Sequence, residues 1–251
     1  MEDLKHVTKD MIKQDLVDLG IVKGDIVFFH SSMKTIGWVE GGADAVLDAF
    51  LETIGDDGTL VLPGLCMYDF ATMNAEAIQK AWDIHNTPTY TGKIPETFRN
   101  RPGVVRSDNA THSVTAIGKY AQEITKDHKI AYGGEWATGR PLWASPGSFG
   151  HNSPWDKLYR LDAKYLLIGV DFHNCTLIHH VQIVYLEDVL KKDNPAADWP
   201  VLDFRKMGKR LEDRGIVKYG KIGAAETKLI SSKAMIDTAM QVLLEEGPSL
   251  A

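Results

Sequence analysis

GDIVFFHSSMKTIGWVEGGADAVLDAFLETIGDDGTLVLPG, running from Gly24 to Gly64, decides the fold. Asp25 to Phe29 reads as a buried strand that runs into a polar turn at His30-Ser31-Ser32. Gly41-Gly42 precede a helix with Val46, Leu47, Phe50, Leu51 and Ile54 on one face and Gly55 as its stop. Thr59 to Leu62 is a second buried strand, closed by Pro63-Gly64. Short continuous apolar runs bounded by turn residues mark strands covered on both faces. Strand, helix, strand in that order predicts a parallel pair. The expected class is therefore α/β, with a mixed, partly parallel sheet flanked by helices and long functional loops.

The pattern continues on either side. Thr8 is placed to cap a helix running to about Leu19, with Met11, Ile12, Leu16, Val17 and Leu19 inward and Gly20 as its end. KIPETFRNRPG reads as a short helix and a turn, and Val104-Val105 and Val114 to Ile117 as strand material. AKYLLIGV is the clearest core strand of the second half, followed by a helix from about Thr176 to Leu190. Ser232 to Glu246 closes the chain as an amphipathic helix, with Met235, Ile236, Ala239, Met240, Leu243 and Leu244 inward and Gly247 as its stop. Leu65 to Gly92 and Gly134 to Pro154 are long, aromatic and irregular; loops of that length inside a compact fold tend to be functional. No repeat or linker divides the chain, so residues 1–251 are expected to form one domain.

At 44% apolar and 25% charged, the composition is that of a globular protein. No apolar run approaches the ~20 residues that cross a bilayer, and MEDLKHVTKD lacks a signal-peptide core. Cys66 and Cys175 make no disulfide framework. These features predict a cytoplasmic protein with no membrane partner. A net charge of −6 argues against nucleic acid as a partner and suits a cationic small molecule.

Three clusters carry candidate chemistry. In the first, Ser31 and Ser32 offer hydroxyls, Gly37 and Gly41-Gly42 let backbone approach an anion, and Lys34 can neutralise a phosphate; an ordinary connecting loop would read the same. In the second, Arg106, Ser107, Asn109, His112 and Ser113 fall close together, and Arg106 either forks onto a phosphate or pairs with a nearby Asp. The third is HNCTLIHH, with His173, Cys175, His179 and His180. Zinc takes such ligands, but there is no spaced second pair, so no metal is predicted and a zinc hydrolase using His173, Cys175 and His179 is the alternative. Asp69, Asp83, Glu135 and Trp136, with Trp82, Trp143 and Trp155, are candidates for holding an ammonium-bearing substrate. The same aromatic loops would equally make a homodimer interface.

HSSMKTIGWVEGGADAVLDAFLETIGDDGTLVLPG, TPTYTGKIPETFRNRPGVVRSDNATHS, SPWDKL, AKYLLIGVDFHNCTLIHH and GKIGAAETKL together, in this order, resemble the aminoglycoside 3-N-acetyltransferase family. The resemblance implies acetyl-coenzyme A as donor and a small-molecule amine as acceptor, commonly an aminocyclitol antibiotic, with the acetyl moved directly. By it, residues 1–251 form a single acetyltransferase domain, and Ser31, Ser32, Gly37, Arg106, Ser107 and Ser113 line the coenzyme site, with Lys34 and His112 beside them. His179 matches the catalytic histidine, Glu226 is its expected orienting carboxylate, and Thr176 is a contributor to the oxyanion site. A neutral imidazole near pKa ~6.5 is suited to taking an ammonium proton. The chain departs from the family at Asn109-Ala110, where His-Pro is usual, and at Gln182, where a glutamate often stands. A non-catalytic coenzyme A-binding protein is the remaining alternative.

Overall fold

The computed structural model describes residues 5–69, 72–128 and 146–248. In chain order its elements are β1 (His6–Val7), α1 (Lys9–Leu19), β2 (Ile26–Ser31), α2 (Met33–Ile36), β3 (Trp38–Val39), α3 (Gly42–Ile54), β4 (Thr59–Leu65), α4 (Ala75–Ala81), α5 (Lys93–Arg99), β5 (Val105–Arg106) and β6 (His112–Gly118). Then come α6 (Ala121–Thr125), α7 (Pro146–Phe149), α8 (Pro154–Arg160), β7 (Lys164–Ile168), α9 (Leu177–Tyr185), α10 (Lys191–Asp193), α11 (Phe204–Asp213), β8 (Lys218–Ile222), β9 (Ala225–Ser231) and α12 (Ser232–Glu246). Thr8 caps α1 through its hydroxyl, which accepts the Met11 N–H at 3.3 Å, and Gly20 closes it at φ 99°. A π-helical turn, Leu186–Leu190, joins α9 to α10.

Seven strands make one mixed sheet in the order β5-β6-β4-β2-β7-β9-β8. Its centre is parallel: β2 pairs with β4 on one side and with β7 on the other. Antiparallel pairs extend it outward, β6 on β4 and β9 on β7. Alternate residues of the central strands face opposite layers. Phe28, Val61, Tyr165, Leu167 and Ile230 pack with residues of α8, α9 and α12. Val27, Phe29, Leu60, Leu62, Leu166 and Ile168 pack with residues of α1, α3 and α5. Two buried faces explain why these strands are apolar without alternation.

The α/β expectation and the parallel pair hold, with local corrections. β4 runs on through Pro63-Gly64 to Leu65. Its ladder with β2 stops at Val61, so Pro63 lies where only β6 is paired, and its missing N–H interrupts nothing on the β2 side. Met11, Val17 and Leu244 are exposed, because the buried stripes of α1 and α12 are narrower than a count of apolar positions suggests. A helix, α4, occupies part of the long segment after Leu65. Among the described residues, no helix is long and apolar enough to cross a membrane.

Candidate functional site

Parallel strands β2, β4 and β7 end at the same edge of the sheet, the edge where ligands of α/β sheets bind. A cleft of about 520 Å³ opens there. His30-Ser31 of β2, Leu65 of β4, Val170 beyond β7 and His112 at the start of β6 supply its floor, and Thr176 and His179 from the start of α9 supply one wall. A larger cavity of about 810 Å³, lined by Arg99, Arg106, Gln122 and Lys126, touches neither His179 nor the ends of the parallel strands. The smaller cleft is the candidate site.

His179 is surrounded by rings. Phe149 and Phe204 lie with centroids 4.9 and 4.8 Å away, Trp199 at 6.2 Å and His112 at 6.3 Å. Burial among them lowers its pKa to about 4, which the Gln182 hydrogen bond only partly offsets. The imidazole is therefore neutral at pH 7. Its Nδ1 lies 2.7 Å from Gln182 Oε1. Thr176 Oγ1 meets His30 Nε2 at 3.1 Å, and burial lowers the His30 pKa to about 3.

The structure brings together His179, Thr176, His112 and Ser31. Glu226 is not with them. It is exposed on β9, opposite Lys221, and its backbone carbonyl accepts the Gly169 N–H. Gln182, one helical turn on from His179, holds the Nδ1 side of the ring instead. The N–H groups at the start of α9 are also engaged: Leu177 donates to the Tyr165 hydroxyl and His179 to Thr176 O.

Several candidate ligand residues prove to be internal braces. Arg106 spends all five donors within the protein. Nε donates to Ser113 Oγ at 2.9 Å, one terminal nitrogen to the carbonyls of Thr87 and Ile84, the other to Gly64 O and Cys66 Sγ. Its guanidinium also stacks over Trp82. Ser113 is fully buried and donates to Gly64 O. Ser107 pairs with His128 and accepts the Val114 N–H. Gly37 has φ 115°, and a Cβ there would meet the Lys5 carbonyl at 2.6 Å, so packing, not an anion, requires this glycine. Ser32 is the N-cap of α2 and Lys34 is exposed; neither lines the cleft. Replacing Arg106 with Met is expected to cost at least ~3 kcal/mol, since several buried acceptors lose their donors. Urea unfolding checks this; unchanged stability would overturn the bracing role.

Asp83 binds its own loop, accepting from the His85 and Asn86 N–H groups and the Asn86 amide, which lower its pKa. Asp69 accepts the Thr72 hydroxyl. Neither lines the cleft, and Trp155 lies in the core. Glu135, Trp136 and Trp143 lie outside the described residues. Cys175 faces Met235 in the core, with burial raising its thiol to about 12, which removes it from any shared ligand set with His179. Among the described residues, no three His, Cys, Asp or Glu side chains converge as a metal site.

Sequence reasoning passed over His30, Tyr90 and the role of Asn109. His30 sits at the carboxyl end of the central strand, where the fold alone marks it. Asn109 Oδ1 accepts from the Thr111 and His112 N–H groups and so shapes the turn that delivers His112.

The sequence pattern of the aminoglycoside 3-N-acetyltransferases matches residues 28–244. A Bacillus subtilis protein described as a prophage-derived aminoglycoside N(3')-acetyltransferase-like protein, YokD, is 30% identical over 92% of this chain and 90% of its own. The crystal structure of aminoglycoside acetyltransferase AAC(3)-Xa superposes with a TM-score of 0.74 at 27% identity, over 96% of this chain and 93% of that one. AAC-IIIb, solved as a binary complex with CoASH, gives a TM-score of 0.77 at 22% identity, over 96% and 97%.

Proposed function

Because this chain belongs to the aminoglycoside 3-N-acetyltransferase family and is an N-acetyltransferase, we propose that it moves acetyl directly from acetyl-coenzyme A to an amino group of an aminoglycoside or related amino sugar, with His179 as general base. The observation that carries the base assignment is a neutral imidazole in the wall of the cleft at the ends of the parallel strands. The complex of AAC-IIIb with CoASH supports coenzyme A as the donor, and that of AAC-VIa with sisomicin supports an aminoglycoside acceptor.

In this reading the amine loses a proton to His179 as its nitrogen attacks the thioester carbonyl. The new C–N bond forms, the C–S bond breaks, and the thiolate leaves to be protonated. The rings of Phe149, Trp199 and Phe204 crowd the imidazole, and burial among them favours its unprotonated form before the amine arrives. Thr176 and His30 are the polar pair beside it. Asp69 and Asp83, expected to hold the acceptor, do not line this cleft, whose described lining residues carry no carboxylate. Among the described residues, Tyr90, Thr91 and Asn174 are neutral groups that line the cleft and can meet the acceptor.

Incubating the protein with acetyl-coenzyme A and a panel of amines that includes sisomicin, gentamicin and apramycin should release free thiol with at least one of them. Failure to release thiol with any amine, while coenzyme A still binds, would leave a non-catalytic binder.

A further inference from the structure

The Gln182 side chain lies between two fixed groups. Its amide nitrogen donates to the Pro200 carbonyl at 2.7 Å, and its oxygen faces His179 Nδ1 at 2.7 Å. A carbonyl oxygen can only accept, so the amide cannot be turned round without setting two oxygens against each other. With Oε1 thus committed to accepting, Nδ1 must be the nitrogen that carries the proton.

We propose that Gln182, anchored on Pro200, is the positioning residue that selects the Nδ1–H tautomer of His179 and does so without charge, leaving the basic lone pair on Nε2. The inference rests on the reading of His179 as the base, and it adds how the base is set. A carboxylate at this position would orient the ring and also stabilise its cationic form. An amide orients it and favours the cation only weakly, too little to offset burial. His179 is thereby kept as a base that stays empty of protons through the physiological range and gives up quickly any proton it takes.

The surroundings agree. Phe149, Trp199 and Phe204 pack uncharged rings around the imidazole. The described titratable groups around it are His112 from β6, His30 from β2, His173 from the turn before α9, Cys66 after β4 and Tyr90 from the loop before α5. None of these is a carboxylate. Burial lowers the pKa of His112 well below the ordinary value, so it is neutral too.

Nitrogen-15 spectra of histidine-labelled protein, recorded from pH 6 to 8, test the proposal without any substrate, with His179→Gln used to assign the signal. Wild type should show a protonated Nδ1, a lone pair on Nε2 and no titration. Gln182→Glu keeps the acceptor but adds charge and gives up the Pro200 donor; its His179 should begin to titrate in this range. With sisomicin as acceptor, Gln182→Glu should then show an added unit of slope in log kcat/KM against pH below the new midpoint. Gln182→Leu should lose the single tautomer. A wild-type ring protonated on Nε2, or a Gln182→Glu ring that stays neutral down to pH 6, overturns the assignment. If His179→Ala keeps full turnover while the wild-type ring shows Nδ1–H, the general-base reading fails and the tautomer assignment stands.

Discussion

His179→Ala should lower kcat for acetyl transfer by at least ~10²-fold, with coenzyme A affinity changed by no more than about twofold. The ring lies in the cleft wall, packed by Phe149 and Phe204 on a helix start fixed by Tyr165 and Cys175. Alanine removes the base while leaving the sheet edges that form the cleft in place. The loss should shrink as pH rises, because hydroxide and an already deprotonated amine increasingly replace the missing imidazole. Thiol-release kinetics at several pH values, with coenzyme A binding measured by calorimetry, make the check. Wild-type turnover in the variant would remove His179 from the mechanism.

The second large effect is acid instability. Burial lowers the pKa of His30 and His128 to about 3 and of His179 to about 4. It lowers those of His112 and His180 as well. Each binds a proton more readily once unfolded, near its ordinary value of about 6.5. Their stabilisation is therefore complete above about pH 6.5 and is lost as pH falls toward their folded values. Each histidine contributes a slope approaching ~1.4 kcal/mol per pH unit in that window. His30, His128 and His179 together should remove about 4 kcal/mol by pH ~5.5, with His112 and His180 acting in the same direction, against a typical stability of ~5–15 kcal/mol. Unfolding is expected between about pH 4.5 and 5.5, above the range where carboxylates titrate in unfolded chains. Circular dichroism along an acid titration would show it, and His128→Gln should flatten the slope by about one proton. Unchanged stability down to pH 4 would contradict the set of buried neutral rings.

Much of the fold was legible because its signals are local. Thr8 and Gly20 bracket α1, Gly41 and Gly55 bracket α3, and apolar runs mark β2, β4 and β7. The antiparallel attachment of β6 to β4 was not, since pairing between distant segments leaves no periodic mark. Of the cleft lining, His179 and Thr176 are singled out through the resemblance. Arg106 was open to two readings because an arginine among serines looks the same whether it grips a phosphate or its own chain; its acceptors here, Gly64 O and Thr87 O, come from remote stretches. Glu226 was favoured over Gln182 because a charge was sought for the histidine. The nearer partner lay three positions along the same helix, and only the Pro200 carbonyl shows why an amide suffices.

The central ladder joins His30 of β2 to Leu167 of β7, so the middle strand meets one of its neighbours only after most of the chain exists. During synthesis the early β2-β4 pair waits with an apolar flank open and no second layer to cover it. Contacts of such long sequence separation close slowly, and open strand edges invite pairing between molecules. Refolding from denaturant should accordingly be slow and depend on protein concentration, and chains truncated before β7 should precipitate.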